Sequence, residues 1–552
     1  MRIFRLILVA AFLTLPLAMP RAAAAVDLPH VSASSWQLDL DYMVRSIEKY
    51  HVDPFHDVSR SLFDQRVAEL RARLPHLNRA QAIVGLASII ALVRDAHTGF
   101  GIGTSPPISF HAFPIKVYQY SDGVFIQAAA PQYKQLVGQK IVAVGGVPIS
   151  TVLQRLQTVV MSTNDWTFRS QLQFQFKGEI LHALGLSQSD DAATLELRGP
   201  SGLNSVTLQT LPHPFAMGYR PGPPERSDWI DARTVSLPPL YLRHLDEYYW
   251  YEWLPDAGTL YVQCNFVLNS DKESFADFFS RVFGVADKEP VKKFVLDLRF
   301  NGGGDNLLLP VVVQNLVKRD SINAPGKLFV IIGRGTQSAA ENLVNRLQRD
   351  THATFVGEPT GERPNEFGDP WPFVLPNSHI EVHIASIKWE DIDPRDDRQW
   401  TGPDLAAELT SSDYVDGVDP AMDVIQKGSF IPIETALHPY LGKQTEALHQ
   451  ALLGYVGDPE HKFTQVQYPM EALATELIAD KDFADAHSLL RWSAAISPNS
   501  ARALDALCDS YLSTETPQAA KPCYASILAR FPRDAIAASR ISVLASGQLP
   551  DL

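Results

Sequence analysis

Two stretches of this chain combine glycine with charge, and one of them adds hydroxyls, in ways that could do chemistry. The first is Asp297-Leu298-Arg299-Phe300-Asn301-Gly302-Gly303-Gly304, an apolar strand running into a glycine-rich turn. Consecutive glycines let the backbone take positive φ and approach a ligand without Cβ obstruction, and such a turn can aim N–H groups at an anion. Asp297 and Arg299 set it apart from a generic strand-to-helix turn. The second is Gly333-Arg334-Gly335-Thr336-Gln337-Ser338-Ala339-Ala340-Glu341. A serine that opens a helix sits among free N–H groups and positive potential, which suits a nucleophile whose product is an oxyanion. On this stretch alone the simpler reading makes Ser338, or Thr336, the helix N-cap.

Other chemistries find no support. Ser338 has no G-x-S-x-G elbow around it and no lysine three residues on, against the α/β-hydrolase and β-lactamase patterns. No H-E-x-x-H or paired-cysteine motif points to a metal, and no cofactor is expected. The three cysteines, Cys264, Cys508 and Cys523, are too few for a disulfide framework or zinc site. The last two either bridge or serve as small core residues. The balance of 48 Lys+Arg against 62 Asp+Glu gives −14, which disfavours a nucleic-acid partner.

The reactive stretches need elements to position them. Residues 36–94 have helical periodicity, ending at Arg94-Asp95-Ala96-His97-Thr98-Gly99. A lone histidine at a helix end is ordinarily a dipole partner or surface residue. Residues 105–210 change to short β-rich pieces separated by turns, and 211–235 is a Pro-rich loop. Residues 138–149 resemble the strand-turn-strand of a PDZ domain, without a convincing carboxylate-binding loop; such a module would capture an extended chain end by strand addition. From 259 to 349 strands and helices alternate, which predicts an α/β layer with mostly parallel pairing. Near the C-terminus Pro498 and Pro532, Ala486 and Ala520, Leu473 and Leu507 are each 34 apart, the period of tetratricopeptide helix pairs. Residues 440–465 are expected to add a capping helix.

Taken in order, the Asp297–Gly304 stretch, Ser338-Ala339-Ala340-Glu341, and Val356-Gly357-Glu358-Pro359-Thr360-Gly361 resemble the S41 family of C-terminal-processing, tail-specific and tricorn-type peptidases. The match covers roughly residues 36–425. The resemblance implies a multidomain α/β protein: helical part 30–104, PDZ-like module 105–210, S41 (ClpP/crotonase-like) catalytic domain 236–425 and TPR-like helices 440–552. It implies that Ser338 attacks a peptide carbonyl and that N–H groups of Gly302 or Gly303 and of Ala339 form an oxyanion hole. Tail-specific members use a lysine base, but Arg363 occupies the matching position, and guanidinium does not act as a base. Tricorn-type members use a histidine matching His97, where imidazole can take and return the serine proton. They also use a late acidic residue, which counting back from Pro403 places at Asp397, with Asp396 as the alternative. Aspartate stands there in place of the family's glutamate, and Ala96 stands in place of a serine.

The size and N-terminus complete the expectation. At 552 residues, three or so folded units are the prior. Arg2 and Arg5, an apolar run over 7–19 and four alanines at 22–25 read as a secretory signal peptide. An uncleaved anchor is the alternative, although the run is short for a span. The mature protein is thus expected to be exported, with a peptide or protein substrate, a protein partner on the TPR-like repeats, and no span beyond the signal. A catalytically weak scaffold that binds a peptide or small apolar ligand, and an assembly factor acting through its repeats, are the competing functions.

Overall fold

The computed structural model describes residues 30–103, 106–214, 228–428, 430–442, 445–513 and 517–550. The expected signal peptide at 1–25 and much of the Pro-rich loop lie outside the described residues. Among the described residues no helix is long and apolar enough to cross a membrane.

Three helices open the described chain: α1 (Ala33–Tyr50), α2 (Arg60–Arg73) and α3 (Arg79–Ile90). Each has a side-chain cap, from Ser32, Ser59 and Asn78 respectively, satisfying N–H groups that the first turn leaves without partners. An antiparallel sheet follows, built from β1 (Ile115–Tyr120), β2 (Gly123–Ala129), β3 (Lys140–Val144), β4 (Val147–Pro148), β5 (Ala192–Gly199), β6 (Gly202–Gln209) and β7 (Ile230–Asp231). Residues 105–210 are not β throughout. Between β4 and β5 lie α4 (Ile149–Gln157), α5 (Asp165–Gln175) and α6 (Gly178–Ala183). The reason is local: Asn164 and Thr167 form a reciprocal capping box that starts α5, and Trp166, Phe168 and Leu172 then turn into the core.

The largest parallel layer is a six-stranded sheet in the order β15-β12-β11-β10-β9-β8. Its strands are β8 (Tyr249–Leu254), β9 (Thr259–Cys264), β10 (Lys293–Asp297), β11 (Leu328–Ile332), β12 (Thr354–Gly357) and β15 (Leu405–Ala406). All neighbours from β9 to β15 pair parallel, and β8 is antiparallel at one edge. Helices α7 (Phe275–Ala286), α8 (Leu309–Val317) and α9 (Ala339–Asp350) cover one face. On β10, Phe294 and Leu296 join that face while Val295 turns the other way, the period-two alternation of a strand buried on both sides. Each such side chain contributes about 1.5–3 kcal/mol by leaving water. Between the last strands, β13 (Glu366–Val374) and β14 (Glu381–Trp389) form an antiparallel hairpin. Short α10 (Ser411–Asp416) follows, then α11 (Pro420–Lys427), which packs on the second face through Ala421, Met422 and Ile425.

That hairpin ties the two halves together. Leu375, Ile380, Val382 and Ile384 share one continuous core with α1–α3 and the antiparallel sheet. Buried Asp39 of α1 accepts hydrogen bonds from the Asn377 and Ser378 backbone N–H groups at its turn. The expected boundary at 104/105 therefore does not divide the core.

The C-terminal part is all-helical: α12 (Ile433–Leu437), α13 (Thr445–Gly457), α14 (Gln467–Ala479), α15 (Phe483–Ile496), α16 (Ala501–Ser513), α17 (Ala520–Arg530) and α18 (Ala535–Ala545). From α14 onward each helix packs on the next. The 34-residue echo falls at equivalent places in successive pairs: Ala486 on α15 and Ala520 on α17 are both fully buried. Cys508 and Cys523 bridge α16 and α17, which resolves the choice left open for them.

Candidate functional site

The glycine turn and Ser338 meet at the carboxyl ends of β10 and β11, where open parallel sheets place ligands. Asn301 welds the two turns. Its Nδ2 donates to the Cys264 carbonyl (3.0 Å), its Oδ1 accepts from Gly303 N–H (2.9 Å), and its backbone carbonyl accepts from Gln337 N–H (3.1 Å). Thr336 pins the second turn: its hydroxyl donates to the Leu298 carbonyl and accepts from Gly333 N–H. Below them, the Arg299 guanidinium clasps Asp297 and Asp419 (2.9–3.0 Å to each), and Tyr261 donates to Asp297 at 2.6 Å. Burial raises Asp297, with Arg299 opposing the shift. This ion network holds the strand end and is structural.

Ser338 stands at φ 54°, ψ −130°, a sparsely populated region for a residue with a Cβ, and its side chain makes no capping bond to α9. The helix-cap alternative is thereby excluded for Ser338, while Thr336 is committed to the turn. Gly303, at φ 106°, passes so close that a Cβ there would lie 2.6 Å from Ser338 Cβ and 3.0 Å from Ala339 N. Its own N–H is occupied by Asn301. Among the described residues, the backbone N–H groups of Gly302 and Ala339 have no acceptor. Beside them a cavity of about 460 Å³ is lined by Ile102, Met161, Phe174, Phe266, Gly302 and Gln337 among others.

His97 reaches this end of the sheet through long-range contacts. Its N–H donates to Asp95 Oδ1 at 2.6 Å, and Asp95 Oδ2 faces His51 Nε2 at 3.0 Å. His51 Nδ1 accepts from Asp53 N–H, so Nε2 carries the proton given to Asp95. Burial pushes the Asp95 carboxyl up, but His51, His97 and Thr98 together outweigh it and hold it low. The β14 strand clamps the segment: Gly99 and His383 exchange backbone bonds at 2.8–2.9 Å, and Ala385 N–H donates to Thr98 Oγ1.

The residues facing His97 were not foreseen from sequence. His97 Nδ1 lies 3.7 Å from Glu362 Oε2, and one ligand-type atom from each of His97, Glu362 and Glu366 falls within 4.8 Å of the others. Glu366 accepts from Asn342 on the first turn of α9 (3.1 Å), so the cluster of His97, Glu362 and Glu366 lies against the helix that Ser338 opens. The start of α5 holds this side. Thr163 donates to Glu362 Oε1 at 2.5 Å and accepts from Ala96 N–H. Asn164 Nδ2 donates to the Thr360 and Gln399 carbonyls, and Thr167 to the Gly361 carbonyl. Burial pushes Glu362 up to about 8 and Glu366 well above the carboxylate range. Glu341, whose Oε1 accepts from Thr401, is pushed up to about 7 by burial. The sequence signal for Glu362 was its place directly after the Val356–Gly361 motif and before Arg363.

Two other residues point away from this cluster. Arg363 pairs with Asp57. Asp397 accepts from the Ser500 hydroxyl (2.9 Å) and Ala501 N–H (2.6 Å) at the start of α16, so its carboxylate is spent on joining the helical region to the α/β layer. The alternative, Asp396, is locked against Arg398.

No family model matches the chain, and no curated protein matches it. Among solved structures, it is similar to mature CPAF complexed with lactacystin, with 14% identity, 72% of this chain and 97% of that one covered, and a TM-score of 0.49. It is also similar to the photosystem II D1 C-terminal processing protease (17% identity, 71% and 97% covered, TM-score 0.35). A third likeness is to the tricorn protease (14% identity, 72% and 36% covered, TM-score 0.33).

Proposed function

We propose that this chain is a serine-type peptidase that cleaves through an acyl-enzyme, with Ser338 as nucleophile and His97 as general base. The observation that carries the reading is Ser338 itself. It is held in a strained conformation at the start of α9, released from helix capping, beside two unengaged N–H groups. A strained backbone conformation of this kind costs of order 1–3 kcal/mol and persists where the surroundings over-determine it.

In this mechanism His97 removes the Ser338 Oγ proton as Oγ bonds to the substrate carbonyl carbon. The resulting oxyanion lies against the N–H groups of Gly302 and Ala339. Collapse breaks the C–N bond, and the leaving amine takes the proton from His97. Water then attacks the ester, giving His97 a proton that returns to Ser338 as the acid is released. Glu362, rather than Asp397, is the carboxyl that orients the imidazole from its Nδ1 side. The adjoining cavity, walled by Ile102, Met161, Phe174 and Phe266, suits an apolar side chain next to the cleaved bond.

Export completes the reading: the N-terminal segment is cleaved as a signal peptide, and a Cys508–Cys523 bridge suits an oxidising compartment. The helix pairs from α14 onward would then dock a protein partner outside the cytosol. The test is labelling of the full chain with a fluorophosphonate, beside Ser338→Ala and His97→Ala. Loss of labelling in both variants supports the mechanism. A folded wild type that never labels would point to a ligand-binding scaffold, and labelling that survives His97→Ala would remove His97 as base.

A further inference from the structure

Glu362 and Glu366 are each only 1% exposed, and each keeps one carboxylate oxygen, Oε2, with no hydrogen-bond partner. His97 Nδ1 is likewise buried and without a partner, 3.7 Å from Glu362 Oε2. Leaving such groups unmatched in a dry interior is costly. Among the described residues, no cation but His97 lies within salt-bridge distance of Glu362, and none lies within it of Glu366, while the nearby guanidinium of Arg363 is turned to Asp57. Three donors whose ligand atoms all fall within 4.8 Å of one another therefore converge on one point, with one imidazole and two carboxylates. As ionised groups the two carboxylates carry the charge that one divalent cation neutralises.

From this convergence we infer that His97, Glu362 and Glu366 form a binding site for a small divalent cation of the zinc class, and that the ion switches the serine site off. Imidazole and carboxylate are zinc's nitrogen and oxygen donors, bound at about 2.0–2.2 Å, and three protein ligands leave a fourth position for water. Closing on such an ion asks the three side chains to draw together by about an ångström. The second shell is already built: Thr163 holds Glu362 Oε1, Asn342 holds Glu366 Oε1, and Asp95 fixes the His97 backbone, in the way outer groups orient metal ligands. The ligands come from residues 97, 362 and 366, a spacing that no local metal motif displays. The inhibitory half of the inference rests on the proposed mechanism, since an ion on His97 Nδ1 keeps the ring proton on Nε2, the nitrogen that must accept from Ser338.

The experiment is equilibrium dialysis of the full chain against zinc chloride, using wild type, Ser338→Ala, Glu362→Gln, Glu366→Gln and His97→Ala, with melting curves to confirm folding. One zinc per chain is expected in wild type and in Ser338→Ala, with affinity falling at least tenfold in each ligand variant. Glu→Gln keeps shape and the Thr163 or Asn342 contacts, so a folded variant is assured of a comparison. Cobalt(II) in place of zinc should give a visible spectrum that the ligand variants lose. Absence of stoichiometric binding, or binding undiminished in the three ligand variants, overturns the site. Fluorophosphonate labelling of wild type then separates the two readings. Labelling blocked by zinc supports the switch, and labelling unaffected by bound zinc overturns it. A chain that binds zinc but never labels keeps the site and sinks the peptidase.

Discussion

The Ser338 side and the His97 side of this site are built in opposite ways. On the Ser338 side, Gly302, Gly303 and Ser338 lie in the turns after β10 and β11, and Asn301 and Thr336 within those turns bond the adjacent strand ends to each other. On the His97 side, His97 is placed by β14, nearly three hundred residues later, and Glu362 by Thr163 on the approach to α5. One half is strained and rigid by local geometry; the other is a convergence of separate elements around a buried charge cluster. Damage to the first half should therefore be abrupt, and damage to the second graded.

The largest effect is expected from Ser338→Ala, which should abolish fluorophosphonate labelling and lower peptide hydrolysis by roughly 10⁴-fold or more, measured with a peptide library. Retained labelling would place the nucleophile elsewhere. Next comes Gly303→Ala. Its new Cβ would meet Ser338 Cβ at 2.6 Å at a positive-φ position, and the labelling rate should fall by about 10²–10³-fold, as when an oxyanion donor is lost. Gly302→Ala is the control, because a Cβ there meets nothing within 4 Å and labelling should largely survive. Equal damage from both glycine substitutions would break the idea of a tightly packed Ser338 side.

Thr163→Val probes the other half. It deletes the bonds to Glu362 and Ala96 while keeping the shape, and should lower kcat by about 10–100-fold, the scale of an outer positioning contact, with Thr163→Ser restoring it. An effect confined to KM would assign Thr163 to substrate binding instead. The smallest effect is expected from Asp397→Ala. Loss of its bonds to Ser500 and Ala501 should cost about 1 kcal/mol of stability and leave the labelling rate unchanged. A thermal melt and a labelling time course check both, and abolished labelling would restore Asp397 to the catalytic set.

The sequence was most readable where function depends on neighbours in the chain. Alternation on β10 and β11, the glycine turn and the helix after Ser338 stand where periodicity and composition place them. Helices α4–α6 were hidden within a β-rich segment, because the capping box of Asn164 and Thr167 is a short signal among turn residues. Asp397 illustrates a different failure. Counting along the chain located an acidic residue, but its partners, Ser500 and Ala501, lie on a helix about a hundred residues away.

What the sequence by itself determined is the parallel α/β layer, the glycine turn after β10, and the exclusion of Arg363 as a base. Each of these follows from backbone preference or side-chain type over a handful of residues. Only the tertiary structure decided that His97 meets Glu362 and Glu366, that Asp39 anchors the hairpin carrying His383 and Ala385, and that Asp397 serves the helical region. Burial pushes the Glu362 and Glu366 carboxyls up, and burial is a property of the packed chain that no local pattern encodes.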